Sequence, residues 1–362
     1  MTQARHTSHL RSLPVQEWPD ADRNAWGNAL RPGSRFKPGG DASHLAHASR
    51  DDFARRYGAF LGYLQQTDRL QHNAAAAAQV TQPHVEAYVA ELTSRVRSVT
   101  VYNCIYKLRR TAELLAPSID FTWLADLEKD LALVMQPKSK FDRLVSTERI
   151  VEAGLTLVIE AQSLSTKNAA RARGVRNGVM IALLALCPIR LKNFATLEIG
   201  KTFRNIHGDW WITLPGSSTK SRRPDERRVP SWLIRYIDVY LNESRSSLLA
   251  SRPATDALWI SSTSGRPMTT KNVGLLVSKI TRHTLGVEIS PHLFRTAAAS
   301  TAAAYCGSAP YLASALLNHT DPRVTEEHYN RASSMSASRI YSGITAAFCG
   351  APAGSDNRER PS

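Results

Sequence analysis

Four separated stretches of this 362-residue chain hold side chains able to handle a phosphate group. Arg190 closes an apolar run, Ala-Leu-Leu-Ala-Leu-Cys-Pro-Ile-Arg190, and continues into Leu-Lys-Asn-Phe-Ala-Thr-Leu197. A guanidinium among so many apolar neighbours needs a partner or an anionic ligand, because burying it alone costs several kcal/mol. Lys220 follows a Pro215-Gly216 turn in Ser-Ser-Thr-Lys-Ser-Arg-Arg, where a hairpin tip would hold it out to a ligand. His292-Leu-Phe-Arg295 sets two phosphate ligands three residues apart, hence on one face of a helix that starts at Ser290-Pro291. His319 and Tyr329 bracket the segment His-Thr-Asp-Pro-Arg-Val-Thr-Glu-Glu-His-Tyr. Glu326, Glu327, His328, Asn330 and Arg331 around Tyr329 argue against a dry core position. Taken singly, each site is equally well served by a bland role: an internal ion pair for Arg190, a solvated loop for Lys220, surface neighbours for His292 and Arg295, core packing for Tyr329.

The composition narrows what these residues could meet. Lys+Arg 46 against Asp+Glu 31 leaves a net charge of +15, and 43% hydrophobic residues with 7 Trp, 11 Tyr and 9 Phe supply real cores. A folded protein with this surplus favours a polyanion, nucleic acid or an anionic membrane. The membrane option weakens because the longest apolar stretch, Val179 to Ile189, is far short of the ~20 residues a spanning helix needs. No apolar core follows the charges of the first residues, so no signal peptide is expected. Cys104, Cys187, Cys306 and Cys349 are scattered without metal-ligand spacing, which fits buried thiols in a reducing cytosol and no metal site.

The elements that would position the four sites can be read from periodicity. Residues 1–48 mix Arg, His, Pro and Gly without a sustained period and read as a poorly ordered arm. From 49 to 135 four amphipathic helices are expected: one opened by a Ser49-x-x-Asp52 capping box, one from Thr81, one over Val99–Leu115 and one over Trp123–Val134. Residues 136–144, Gln-Pro-Lys-Ser-Lys-Phe-Asp-Arg-Leu, read as a linker. Beyond it helices are expected at 147–162 and 168–187. Two short strands joined at His207-Gly208-Asp209 and a third at Arg227–Val229 come next. Further helices are expected over 231–249, 269–285, 291–305, 311–317, 322–332 and 336–347, and the tail 350–362 reads as disordered.

Arg190, Lys220, His292-x-x-Arg295, His319 and Tyr329, in this order, resemble the signature of the tyrosine recombinases, the phage integrase family. The ordered set is far more specific than any member of it. The resemblance implies a mainly α protein with a small antiparallel sheet and two domains, a helical core-binding domain at 49–135 and an α+β catalytic domain at 145–349. It implies a site-specific recombinase that cuts and rejoins DNA through a 3′-phosphotyrosyl intermediate, without metal or cofactor. Arg190 and Arg295 would clamp the non-bridging oxygens, with His319 adding a hydrogen bond; Tyr329 would be the nucleophile, His292 the base and Lys220 the acid for the departing 5′ oxygen.

The expected partners are double-stranded DNA with inverted-repeat core sites, further copies of the chain (a dimer on each site, a tetramer in synapsis) and accessory DNA-bending proteins. A cytoplasmic, nucleoid-associated location follows. Tyr341, on an apolar helix suited to docking, and His328 are the rivals for nucleophile and ligand. The sequence departs from the usual pattern at Pro188 in place of Gly, Asn193 in place of an acidic residue, and Asn318 in place of Gly before His319. Those departures leave a second reading, a degenerate member that binds DNA without cutting, and the shared chemistry leaves a third, a type IB topoisomerase-like relaxing enzyme.

Overall fold

The computed structural model describes residues 11–137, 141–164, 169–250, 252–305 and 312–317. The chain divides into two compact units, Met1–Ser139 and Lys140–Ser362. Among the described residues no helix is long and apolar enough to cross a membrane.

The first unit is all helical: α1 (Asp20–Leu30), α2 (His47–Gln66), α3 (Gln82–Arg95), α4 (Ser98–Leu115) and α5 (Thr122–Leu133). Tyr57, Phe60, Leu61 and Leu64 of α2 interleave with Val85, Tyr88 and Leu92 of α3. Ile105, Leu108 and Ala112 of α4 close the same core. The helix α2 starts at His47 behind Ala46, so Ser49 lies inside the first turn and caps nothing. Asp52, the intended partner of that cap, bonds Lys107 and Arg55 instead.

The described part of the expected arm, from Arg11 on, is no arm. Residues 20–30 form α1, and Leu13, Trp18 and Trp26 are buried in the helical core. Trp18 meets Tyr57 edge-on at 4.9 Å and donates its indole N–H to the Leu13 carbonyl at 3.0 Å. Two glycines one turn apart on α2 make room for this segment. A Cβ on Gly58 would sit 2.1 Å from the Leu13 carbonyl oxygen, and one on Gly62 would sit 1.8 Å from that of Arg11. The carboxylate of Asp22, 2% exposed, ties α1 down by accepting the Tyr57 hydroxyl at 3.0 Å and the Ala77 N–H at 2.7 Å. Ala77 lies at φ 56°, a conformation a non-glycine residue holds only under local constraint. Asp22→Ala would orphan both donors, and chemical denaturation should show a loss of about 2–4 kcal/mol; a loss below half a kcal/mol would remove this role.

The second unit is built around α7 (Ala169–Leu186), whose residues Val179–Ala185 are buried on every side. A helix apolar all round belongs in the middle of a domain. α6 (Thr147–Ser163) crosses it closely at Gly154 and Gly178, where a Cβ on Gly178 would meet the Gly154 carbonyl oxygen at 2.3 Å. Pro188 stops α7, and the short α8 (Leu191–Ala195) follows with Arg190 as its N-cap residue. Three antiparallel strands come next, β1 (Phe203–Ile206), β2 (Asp209–Leu214) and β3 (Asp225–Arg228), in the order β1-β2-β3. The β1–β2 turn is His207-Gly208, both at positive φ (53° and 89°), as a two-residue hairpin loop requires. Along β2 Trp210, Ile212 and Leu214 face the core in strict alternation.

The third strand starts two residues before the expected Arg227, at Asp225. Helices α9 (Ser231–Val239) and α10 (Arg245–Leu249) are joined through a π-helical turn at Tyr240–Ser244. The single helix expected over 231–249 is thus continuous but widened in the middle. Then come α11 (Thr270–Leu285), ended by Gly286 at φ 70°, α12 (Pro291–Tyr305) and α13 (Leu312–Leu317). The Thr301 hydroxyl on α12 donates to that of Thr147 at the start of α6, 3.1 Å away. The helices expected over 322–332 and 336–347 and the tail 350–362 lie outside the described residues. Cys104 and Cys187 are buried free thiols, and Cys306 and Cys349 lie outside that range.

Candidate active site

Three elements of the second unit converge on a group of arginines. The end of α7 carries the chain through Cys187-Pro188-Ile189 to Arg190, which is half-buried with an extended backbone. α12 supplies Arg295, 7% exposed. Its guanidinium donates to the Pro188 carbonyl, 107 positions away in sequence, and to the Leu317 carbonyl at 2.6 Å. The fork is therefore fixed from both sides: one prong on the turn that leads into Arg190, the other on the last residue of α13, two positions before His319. Burial pushes the Arg295 guanidinium down to about 10, and the charges of Arg190 and Arg227 push in the same direction, against the attraction of Asp225. Such mutual repulsion marks a place prepared for negative charge.

Arg227 and Asp225 complete the group from β3, and the sequence reading missed both as site residues. They alternate along the strand, so both turn to its less exposed face. Arg227 holds Asp225 by two parallel bonds, 2.8 Å from Nε and 2.9 Å from Nη2, with side chains 10% and 13% exposed. Burial raises the Cys187 thiol to about 12, opposed by the charge of Arg227. The sequence signal was a pair of opposite charges at a spacing of two, in a stretch whose remaining charges read as a solvated loop.

The other expected residues are placed as follows. Lys220 is exposed in the β2–β3 connection, whose shape is set by the buried Thr219 hydroxyl donating to the Arg223 carbonyl at 2.7 Å. His292 is exposed on the first turn of α12, one turn from the buried Arg295. The helix face they share therefore runs from solvent inward. His319, Tyr329 and the rivals His328 and Tyr341 lie outside the described residues.

The second unit is thus a mainly helical domain with a three-stranded antiparallel sheet. Residues 158–335 match the family model described as the phage integrase family. That stretch of the chain is similar to the phage integrase family, the tyrosine recombinases, whose general activity is site-specific recombination. A search of curated proteins gave no match. Among solved structures, the chain is similar to a XerH site-specific recombinase bound to its difH substrate in a pre-cleavage complex, with TM-score 0.52 and 14% identity over 81% of this chain and 80% of that one. It is also similar to a lambda integrase dimer bound to a COC′ core site, with TM-score 0.48 and 11% identity over 80% of this chain and 90% of that one. At 14% identity the likeness to the XerH structure is one of fold.

Proposed function

We propose that this protein is a site-specific DNA recombinase that breaks and rejoins strands through a phosphotyrosyl intermediate. The observation that supports this most is the position of Arg295. It is a buried guanidinium locked onto the turn before Arg190 and electrostatically coupled to Arg190, where two planar forks suit the two non-bridging oxygens of one phosphodiester. Tyr329 attacks phosphorus: its phenol oxygen forms the new bond, the bond from phosphorus to the 5′ oxygen breaks, and the phenolic proton passes to His292. Lys220 returns a proton to the departing 5′ oxygen, and His319 donates to the same phosphate. A phenol ionises near ~10, so the surrounding cations also favour the attacking phenolate. The 5′ hydroxyl of another strand reverses the step, which makes exchange rather than hydrolysis the outcome.

In this reading the first unit grips double-stranded DNA and the second performs the chemistry. Inverted-repeat sites each bind a dimer, and two such complexes form the synaptic tetramer, aided by DNA-bending proteins. The test is a duplex nicked near the cleavage point, from which the cut 5′ fragment diffuses away. The protein should accumulate as a protease-sensitive adduct on the 3′ phosphate. The buried, neutral Asn193 beside Arg190 favours a second reading, a member that binds DNA without cutting it. Tight binding with no adduct would select it. Relaxation of plasmids without strand exchange would select a topoisomerase-like activity.

A further inference from the structure

Residues 31–40, Arg-Pro-Gly-Ser-Arg-Phe-Lys-Pro-Gly-Gly, leave the end of α1 and turn back as a narrow finger. Its base is fixed. The Ala42 N–H donates to the Ala29 carbonyl and the Gly40 N–H to the Arg31 carbonyl, both at 2.9 Å, and Ala42 is fully buried. Arg50 of α2 holds the returning chain by donating to the carbonyls of Ser43 and Leu45 at 2.7 and 2.8 Å. Glycines let the two sides close on each other: a Cβ on Gly33 would sit 2.6 Å from the Gly39 nitrogen, and one on Gly40 would sit 2.2 Å from the Asn28 carbonyl oxygen. At the tip Ser34 and Lys37 pair across a two-residue turn. The Ser34 N–H donates to the Lys37 carbonyl at 2.8 Å, and the Ser34 hydroxyl accepts the Lys37 N–H at 3.1 Å. Arg35 and Phe36 are the central residues of that turn. Phe36 is 89% exposed, Arg31, Arg35 and Lys37 are exposed as well, and residues 31–40 contain no carboxylate.

We propose that this finger enters the major groove of double-stranded DNA, with Arg35 and Lys37 on phosphates and Phe36 against base edges. The proposal rests on the recombinase reading, for it names residues with which the first unit would touch DNA. Its physical logic is the pairing of one apolar ring with three cations on a fixed turn. A lone exposed apolar side chain is ordinary on a protein surface. Here the backbone on both sides of it is hydrogen-bonded in place, and every charge near it in sequence is positive. A protein partner would call for an apolar patch with few charges at its centre. Duplex DNA offers the reverse arrangement, phosphates along the rims of a groove and base edges with thymine methyl groups on its floor. The major groove, ~12 Å wide, admits a two-stranded ribbon. Cations on phosphates set position and salt dependence, whereas the uncharged ring adds apolar contact and preference among bases, so the two contributions are separable.

The test measures binding of the full-length protein to a fluorescent mixed-sequence duplex over a range of salt, for wild type, Phe36→Ala and the double variant Arg35→Gln/Lys37→Gln. Each phosphate contact contributes ~0.9 to the slope of log affinity against log salt, so the double variant should flatten that slope by about 2 and bind ~10-fold or more weakly. Phe36→Ala should bind roughly 10-fold more weakly with the slope unchanged. A probe with uracil in place of thymine, which lacks the methyl group, should weaken wild type and leave Phe36→Ala as it was. The substituted side chains are exposed, so thermal melts should match wild type. With p-benzoylphenylalanine at position 36, irradiation of the complex should crosslink the protein to the duplex. Wild-type affinity in Phe36→Ala, a wild-type salt slope in the double variant, equal weakening of wild type and Phe36→Ala by uracil, or crosslinks to protein instead of DNA would each overturn the inference. Adduct formation at saturating nicked duplex would be untouched by such results, so the recombinase reading would stand. A wild-type protein that binds no duplex would overturn both.

Discussion

Tyr329→Phe should abolish the covalent protein–DNA adduct, lowering its rate of formation by at least ~10⁴-fold, while binding to the same duplex stays within a few-fold of wild type. The substitution removes one oxygen atom, and that atom is the one proposed to form the bond to phosphorus. The arginines, which hold the phosphate in the ground state as well, are untouched, so affinity for DNA survives when chemistry does not. Denaturing gels of the nicked-duplex reaction measure the adduct, and filter binding or fluorescence anisotropy measures affinity. An adduct that persists in Tyr329→Phe would move the nucleophile elsewhere. Tyr341 is the first candidate, and Tyr341→Phe would then be the variant that forms no adduct. With Tyr329 as nucleophile, Tyr341→Phe keeps its activity, since its helix is read as a docking element.

The second large effect is expected at Arg295. Arg295→Lys should lower the rate of adduct formation by about 10³-fold, close to the loss from Arg295→Ala. Charge alone is not what Arg295 supplies. Its guanidinium donates to the carbonyls of Pro188 and Leu317, which fixes the plane and direction of the fork. An ammonium at the same depth loses that geometry and readily loses its proton as well, since burial lowers a lysine further into the neutral range.

Arg295 also makes stability and function oppose each other. Its folded value of about 10 lies below the ordinary arginine range, so the folded state releases this proton more easily than the unfolded chain. Stability therefore rises as pH climbs through the interval above about 10 and carries the whole penalty, on the order of 3 kcal/mol, at neutral pH. A bound phosphodiester relieves it. Thermal melts of the wild-type protein should rise on adding a duplex, and the rise should shrink in Arg295→Lys. An Arg295→Lys protein that cleaves at the wild-type rate would sink the two-fork clamp.

Both results bear on residues that a reader of the sequence could single out, and the reason is chemical. Arg190 and Arg295 stand out because charged groups beside Ala-Leu-Leu-Ala-Leu-Cys or within Leu-Phe-Arg-Thr-Ala-Ala conflict with their apolar surroundings, and a conflict of that kind is a local property of the chain. The helices α2 to α6 and α11 were legible because their apolar positions recur at three and four, and α7 because it is a continuous apolar run. The strands β1 and β2 showed themselves through the His207-Gly208 turn and the alternation of Trp210, Ile212 and Leu214.

Elements stabilised by what they meet were hidden. α1 buries Asp22, Trp26 and Ala29, spaced four and three, but one of the three is an aspartate whose burial is tolerable only because Tyr57 and Ala77 donate to it. The glycines Gly58 and Gly62 read as weak points of a helix until the backbone of Arg11–Leu13 is seen lying on them. At the start of β3, Asp225 and Arg227 resemble a solvated loop because opposite charges two residues apart reveal nothing about which way the strand turns.

The sequence by itself determined the mainly helical architecture with its small sheet, the resemblance to the phage integrase family, and which side chains are chemically suited to a phosphate. These depend on residue type and short-range spacing, which the chain carries at every point. The tertiary structure alone decided that the N-terminal segment from Arg11 is part of a core and that Arg295 is anchored on the turn before Arg190. Such facts depend on energies between groups far apart along the chain, where Coulomb attraction and burial act through space and leave no period in the sequence.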